Sequence, residues 1–291
     1  MQSCMLCPRG CHADRSVQPG YCGSGAAMRI ARADLHFYEE PPISGRSGSG
    51  TVFFTGCGLR CLYCQNYEIS FTAASGHEVS PEELREIFCR LIDRGAHNIN
   101  LVTGTQYLDQ ILPVLASEKW PVPLIWNTGG YETVESLRRL DGLIDIYLPD
   151  YKYAEPELAA RLSAAPDYPE TALLAISEML RQTGPPVLGE DGLMKKGTLV
   201  RHLILPGHTR NSILALRQLK EHFGDRLFVS LLAQYIPCGR ASEFPELSRK
   251  ITKREYDKVC ETLFSLGIDG FVQEREAADP SYIPPFETKT G

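Results

Sequence analysis

The chain has 291 residues, a length suited to one large α/β domain with a small appendage. Hydrophobic residues make up 43% and charged residues 23%, as in an ordinary globular protein. The net charge of −6 argues against a nucleic-acid partner, and no apolar run is long enough to cross a membrane. Ten cysteines without a recognisable secretory signal favour metal ligation over disulfides and predict a cytoplasmic location.

The first feature along the chain is a cysteine quartet in residues 1–25, formed by Cys4, Cys7, Cys11 and Cys22. A segment this short and rich in glycine and proline cannot bury a hydrophobic core, so a bound metal would supply the missing folding energy. Three interpretations stay open: a [4Fe–4S] cluster, a structural zinc or a pair of disulfides, because cysteine pairs two residues apart serve zinc and iron alike. Residues 1–25 are therefore predicted to form a metal-binding module.

Residues 26–50 are predicted to be a connector that carries this module onto the main domain. The pair Pro41-Pro42 and the glycine- and serine-rich run at 44–50 both favour turns. No helix start follows the glycine-rich run, so it does not qualify as a phosphate-binding loop.

A second group of cysteines follows the strand-like run 51–54 and has the spacing C-x3-C-x2-C, with Cys57, Cys61 and Cys64. A loop this tight can direct three thiolates at one inorganic centre, and Gly56 and Gly58 allow a close approach. A structural zinc usually has four protein ligands, whereas a cubane cluster held by three thiolates keeps one iron open. A structural metal loop and three unrelated cysteines are the alternatives.

From residue 51 onwards, strand-like and helix-like segments alternate. Strands are predicted at 51–54, 98–102, 124–126, 144–148, 199–205, 227–232 and 268–273, with helices at 81–92, 108–117, 134–140, 156–162, 171–182, 211–223 and 253–266. Repeated βα units build a parallel sheet, and about six units fit an open partial (β/α)6 TIM-type barrel better than a closed eightfold one. The barrel is assigned to residues 51–278, and residues 279–291 are predicted to form an extended tail.

Polar residues stand where several of these strands end, and ligands of parallel βα folds bind at the carboxyl ends of strands. The candidates are Thr103, Thr105, Asn127, Thr128, Asp150, Lys152 and Gln234. Ordinary turn chemistry explains the two threonines after strand 98–102 equally well. An exposed ion pair is the alternative for Asp150 and Lys152.

The cysteine spacing, with Tyr63 just before the third cysteine, resembles the radical S-adenosylmethionine (SAM) superfamily. The runs Asn-Thr-Gly-Gly-Tyr-Glu, Leu-Pro-Asp-Tyr-Lys-Tyr, Leu-Pro-Gly-His and Gln-Tyr-Ile-Pro narrow the resemblance to the pyruvate formate-lyase activating enzyme-like group. The N-terminal Cys-x2-Cys-Pro-Arg-x-Cys matches a poorly characterised iron–sulfur branch of that group.

This resemblance implies that Cys57, Cys61 and Cys64 are catalytic ligands of a [4Fe–4S] cluster whose open iron binds SAM. By the same resemblance Tyr63 packs near the adenine, Thr103 and Thr105 lie near the SAM amino group, and Asp150 and Lys152 lie near the carboxylate and ribose. Asn127 and Thr128, with Asp150, match residues that hold a monovalent cation, although asparagine replaces an aspartate here. Gln234 completes the predicted SAM-binding rim.

The activity that the resemblance implies is abstraction of a hydrogen atom from a protein or peptide, such as a glycyl-radical enzyme, by a 5′-deoxyadenosyl radical. A flavodoxin or ferredoxin-type reductant and anaerobic conditions are expected with it, and neither nucleic acid nor a membrane is expected as a partner. A radical SAM enzyme acting on a small molecule or ribosomal peptide is one alternative. A non-catalytic iron–sulfur carrier or sensor is another, although a carrier has no need of the polar rim.

Overall fold

The computed structural model describes residues 3–71, 75–279, 284 and 286. Within them the strands, numbered in chain order, are β1 (Arg29–His36), β2 (Ser49–Phe54), β3 (His77–Glu78), β4 (Ile99–Val102), β5 (Leu124–Thr128), β6 (Ile146–Pro149), β7 (Val187–Leu188), β8 (Met194–Thr198), β9 (Val200–Leu203), β10 (Phe228–Leu232) and β11 (Asp269–Val272). The α-helices are α1 (Pro41–Ser44), α2 (Tyr67–Ser70), α3 (Pro81–Asp93), α4 (Leu108–Leu115), α5 (Val134–Arg138), α6 (Pro156–Ser163), α7 (Tyr168–Thr183), α8 (Thr209–Phe223) and α9 (Lys253–Ser265).

The strands form two sheets that a single bridge joins into an open, two-part arrangement. One part has the order β3-β1-β2-β4-β5-β6-β8-β7, and the other has the order β9-β10-β11. A parallel bridge between Asp150 and Arg201 links the two parts beyond the end of β6. From β2 across to β11 the main strands run parallel, and nothing in the described part of the chain closes the sheet between β1 and β11. The predicted open partial barrel is therefore confirmed.

Local sequence signals fix the helices that cover this sheet. Helix α3 begins with a capping box in which Ser80 Oγ accepts from Glu83 N at 3.2 Å, and α9 begins with the same motif at Thr252. The buried residues of α3 and α4 pack on the β2–β5 side, while those of α6, α8 and α9 pack on the β9–β11 side. Helix α7 contributes buried residues to both groups. No helix in the described ranges is both long and apolar enough to span a bilayer.

The prediction of a connector at 26–50 is wrong for most of its length. Residues 29–36 form β1, which pairs antiparallel with β2 and with β3, and Pro41–Ser44 form a short helix. Of the eight residues in β1 only Ile30 is fully buried, because β1 lies near the edge of the sheet and carries charged side chains. Without a buried alternating face, the strand gave no periodic signal.

Two further differences concern short elements. Residues 187–198 form the hairpin β7–β8, which was not predicted because Val187 and Leu188 are exposed and β8 contains a glycine, Gly197. Residues 3–25 form turns without a helix or strand, as expected of a small cysteine-rich module. The predicted extended tail at 279–291 falls almost wholly outside the described residues.

Candidate active site

The loop that carries Cys57, Cys61 and Cys64 leaves the carboxyl end of β2 and is fixed by hydrogen bonds to the barrel. Leu62 N donates to Leu162 O at 2.9 Å, and the Gln106 amide donates to Thr55 O at 3.0 Å and to Gly56 O at 3.1 Å. Gly56 has φ +80°, and a Cβ there would lie 2.2 Å from Ser24 Oγ. Only glycine therefore fits at this position, where the loop passes close to Ser24.

All but one of the residues predicted to hold the cluster and SAM line a single cavity of about 210 Å³ at the carboxyl ends of the parallel strands. We call it the SAM cavity, after the cofactor that the sequence resemblance predicts there. Its lining includes Cys57, Cys61, Tyr63, Cys64, Thr103, Asn127, Thr128, Asp150, Lys152 and Gln234. The exception is Thr105, which faces a neighbouring cavity described below.

The thiols of this cavity suit a cationic inorganic centre. Burial raises the pKa of Cys64 to about 12 and also raises the pKa of Cys57, so neither thiol ionises readily by itself. Binding to iron supplies the positive charge that a buried thiolate lacks. In the described residues no three Cys, His, Asp or Glu side chains converge on one point as ligands of a single ion, and thiolates of a cubane each bind a different iron.

Tyr63 contributes its ring to a buried aromatic group at the floor of the SAM cavity. Only 4% of its surface is exposed, and its ring centre lies 6.4 Å from that of Tyr153 and 6.1 Å from that of Tyr235. The ring is therefore rigidly held beside the third cysteine, as packing against a flat base requires.

Asp150 and Lys152 form an ion pair that is largely buried, with side chains 17% and 18% exposed. This burial excludes the alternative of a solvated surface pair. Burial alone raises the pKa of Asp150, but Lys152 and Arg201 together outweigh it and lower that pKa below its ordinary value. Asp150 is thus a carboxylate with a fixed orientation at the cavity wall.

Arg201, which sequence reasoning did not single out, occupies the place predicted for a monovalent cation. Its Nη2 lies 2.5 Å from Asn127 Oδ1, its Nε lies 3.0 Å from Asp150 Oδ1, and its Nη1 lies 3.1 Å from Glu39 Oε2. Of the three side chains predicted to ligate a cation, Asn127 and Asp150 already accept hydrogen bonds from this guanidinium, and the Thr128 hydroxyl donates to Glu132. These residues therefore do not fit an additional monovalent cation.

The hydroxyl groups predicted to face SAM have another partner. Thr105 Oγ1 donates to Glu132 Oε1 at 2.6 Å, and the Thr128 hydroxyl donates to the same oxygen. Glu132 is buried, and burial raises its pKa while the two threonines lower it in part. Thr103 has the left-handed φ of +59° and sits between the two cavities.

A further residue that sequence reasoning missed supports the cavity wall from behind. The Tyr168 hydroxyl donates to Asp150 O at 2.7 Å and to Gly129 O at 2.9 Å, and accepts from Lys152 N at 2.9 Å. The tyrosine is fully buried at the start of α7. Its contacts join residues that are far apart in sequence, so no local pattern could have found it.

The cysteine quartet Cys4, Cys7, Cys11 and Cys22 lines the neighbouring cavity, together with Cys57 and Glu132. No two of the ten cysteines form a disulfide, so the disulfide interpretation of the quartet is not supported. Burial raises the pKa of Cys7 to about 12. The two cavities share five residues: Cys57, Leu59, Thr103, Thr128 and Gly129.

Arg9 fastens the cysteine-rich segment to the SAM-cavity loop. Its guanidinium donates to Gly58 O at 2.7 Å and to Ser163 O at 2.6 Å, with further bonds to Leu59 O and Ala164 O. Beside it, Cys57 N donates to Cys22 O at 3.2 Å. These bonds join the cysteine-rich segment directly to the backbone of the C-x3-C-x2-C loop.

Comparisons with known proteins agree with this geometry. A curated relative, an uncharacterized protein of Methanocaldococcus jannaschii, is 27% identical over 276 residues, covering 92% of this chain and 76% of its own. The fold is similar to Streptococcus suis SuiB bound to precursor peptide SuiA, with TM-score 0.51, 14% identity, and coverage of 75% of this chain and 46% of that one. It is also similar to anSMEcpe with bound AdoMet, with TM-score 0.50, 13% identity, and coverage of 75% and 61%.

The chain thus spans less than two thirds of those two solved chains, and the likeness concerns the fold. The sequence model of the radical SAM superfamily matches residues 51–219, which is more than half of the chain and contains the C-x3-C-x2-C loop and most of the cavity wall. Members of that family carry a [4Fe–4S] cluster and bind SAM. This protein belongs to the radical SAM superfamily.

Proposed function

We propose that this radical SAM enzyme takes a hydrogen atom from a protein or peptide substrate, as the activating enzymes of glycyl-radical enzymes do. The observation that carries the proposal is the assembly of Cys57, Cys61 and Cys64 with the Asp150–Lys152 pair in one cavity. A [4Fe–4S] cluster held by Cys57, Cys61 and Cys64 would supply the one electron needed to cleave the sulfonium C–S bond of SAM to methionine and a 5′-deoxyadenosyl radical.

The chain's own residues have separate tasks in this proposal. The three cysteines hold the cluster and leave one iron for SAM. The Asp150 carboxylate, kept ionised by Lys152 and Arg201, accepts hydrogen bonds from SAM, and the buried Tyr63 packs against the adenine. Thr103 and Gln234 line the cavity from β4 and β10 and limit the positions that SAM can take. A flavodoxin or ferredoxin-type protein supplies the electron.

The cysteine quartet is proposed to bind a second metal centre, a [4Fe–4S] cluster in preference to zinc. Four thiolates fill every protein-ligand position of either centre, so its role is to fold residues 1–25 and to pass electrons rather than to bind substrate. The five residues shared between the two cavities support this relay, because the quartet then lies next to the loop that carries Cys57.

The test of the activity is incubation of reduced, reconstituted protein with SAM. Formation of 5′-deoxyadenosine and methionine is expected, whereas an iron–sulfur carrier or sensor would give neither. Candidate peptides and glycyl-radical enzyme chains are then added, and deuterium transfer from a labelled glycine into 5′-deoxyadenosine identifies a substrate. SAM cleavage that no peptide or protein accelerates, but that a small molecule does, would contradict the substrate class.

The second centre is tested by metal analysis of anaerobically prepared protein. About eight irons per chain are expected for two cubanes. Four irons with one zinc would replace the second cluster by a zinc site. Four irons without zinc, with Cys4 and Cys11 alkylated as readily as free thiols, would contradict a metal centre there.

A further inference from the structure

A third cavity opens where the sheet fails to close, between the segment after β1 and the end of β11. Residues 37–41 form one wall, and residues 271–274 with Ala277 form the other. This edge cavity of about 400 Å³ shares Tyr38, Glu39, Arg201, Leu232 and Gln234 with the SAM cavity. The gap between the free edges is therefore continuous with the site of the proposed chemistry.

Glu40 on the wall of this cavity is a buried acid with an unused oxygen. Only 7% of its surface is exposed, and its Oε2 has no hydrogen-bond partner among the described residues. A buried polar atom left unpaired costs free energy, unless a ligand provides the missing partner. Burial raises the pKa of Glu40, and the nearby Arg201 and Ser230 counteract that rise only in part.

The charges around the cavity are unbalanced in the direction that favours a cation. The neighbouring carboxyl groups are those of Glu39, Glu40, Asp150 and the exposed Glu274, and the neighbouring cations are Arg201 and Lys152. Arg201 makes ion pairs with Glu39 at 3.1 Å and with Asp150 at 3.0 Å, which leaves Glu40 as the acid without a close ion pair. A positively charged group at Glu40 would reduce this excess of acid and would favour the ionised carboxylate against the burial that raises its pKa.

The rim of the edge cavity offers contact surface for the rest of such a ligand. Phe37 and Tyr38 are each 50% exposed beside Glu40, although large aromatic residues are usually more buried. Aromatic faces bind both apolar groups and cations. An aromatic rim above an acidic base is complementary to a side chain with an apolar stem and a cationic end.

We propose that substrate enters through the edge cavity and that Glu40 binds an ammonium or guanidinium group on it. This inference rests on the proposed function and adds the chemical class that the site selects. It predicts that a peptide substrate presents lysine or arginine near the hydrogen that is abstracted, on the path from Glu40 past Arg201 to the SAM cavity.

The test compares two probes of nearly equal shape, Nα-acetyl-arginine amide and the neutral Nα-acetyl-citrulline amide. Each is titrated by calorimetry into the reconstituted protein loaded with SAM. The arginine probe should bind at least about tenfold more tightly, as a lost hydrogen bond to a charged group implies. Glu40→Gln should abolish this preference, whereas Glu274→Gln, which removes an exposed acid from the same cavity, should change it less than about twofold.

The inference is overturned if the wild-type protein binds the two probes equally, or if it binds neither of them. These two outcomes need no variant protein. An unchanged preference in a folded Glu40→Gln protein also overturns it. SAM is titrated in parallel, because its own amino group is cationic. An equal loss of SAM affinity in Glu40→Gln would assign Glu40 to SAM and reject a substrate role. Formation of 5′-deoxyadenosine by the wild-type protein reports on the proposed function separately.

Discussion

Removing the positive charge of Arg201 should destabilise the protein strongly. The side chains of Arg201 and Glu39 are 12% exposed and that of Asp150 is 17% exposed, so these ion pairs are shielded from water. Loss of one partner from a buried ion pair typically costs about 3–5 kcal/mol, because the other charge is left uncompensated. Arg201→Gln leaves Glu39 without an ion pair, although Asn100 and Asn127 still donate hydrogen bonds to it, and Lys152 still pairs with Asp150. We therefore expect the lower end, about 3 kcal/mol.

Thermal unfolding of the reconstituted protein under anaerobic conditions measures this effect. A loss of about 3 kcal/mol corresponds to a fall of roughly 6–12 °C in the unfolding midpoint. Arg217→Gln, at an exposed arginine of α8, is the matched control and should shift the midpoint by no more than about 2 °C.

A second substitution separates the effect of the lost charge at Arg201 from the effect of its lost packing. Adding Glu39→Gln to Arg201→Gln removes the stranded carboxylate and should recover about 1 kcal/mol or more. The reasoning is refuted if Arg201→Gln unfolds within about 2 °C of the wild-type protein, or if the double variant is no more stable than the single one.

Three further predictions follow from the same geometry. SAM cleavage should proceed equally in sodium, potassium and tetramethylammonium salts, because Arg201 occupies the predicted cation position; strong activation by one small cation would contradict this. Asp150→Ala should weaken SAM binding roughly ten- to hundredfold through loss of a charged hydrogen bond, and a titration within twofold of the wild-type value would show that Asp150 does not bind SAM. Gly56→Ala should lower the free energy of unfolding by about 1 kcal/mol more than Gly142→Ala, because both glycines have positive φ but only Gly56 has atoms within 4 Å of the added Cβ. Equal unfolding midpoints of the two variants would show that the close approach at Gly56 does not require glycine.

The parts of the fold that were predictable are those with a strong local signal. The sequence predicts the starts of helices α3 and α9 because each begins with a capping box. It predicts the buried strands β4, β5 and β6 because they are short apolar runs between turns. The predicted SAM-binding rim followed from a general rule, that the carboxyl ends of parallel strands meet on one side of the sheet. That rule was enough to bring Thr103, Asn127 and Asp150 to the same cavity as the three cysteines.

The residues that were missed depend on contacts across the fold. In the sequence, Arg201 is a single charged residue within a predicted strand. Its role as an ion-pair and hydrogen-bond partner is visible only in the fold, where Glu39, Asn127 and Asp150 surround it. Glu132 ends the run Asn-Thr-Gly-Gly-Tyr-Glu, yet its hydrogen bond with Thr105 depends on how two loops approach each other. Strand β1 lacks a buried face, so its assignment required knowledge of its partner β2.

The central claim, that Cys57, Cys61 and Cys64 hold the cluster at which SAM is cleaved, has one direct test. The variants Cys57→Ala, Cys61→Ala and Cys64→Ala are reconstituted and reduced beside Cys238→Ala, a control at a half-buried cysteine outside the SAM cavity as described. Formation of 5′-deoxyadenosine from SAM is measured in each. Each of the three variants should lose it while keeping the metal bound by the N-terminal quartet, and Cys238→Ala should retain it. Wild-type formation of 5′-deoxyadenosine by any one of the three would contradict the account.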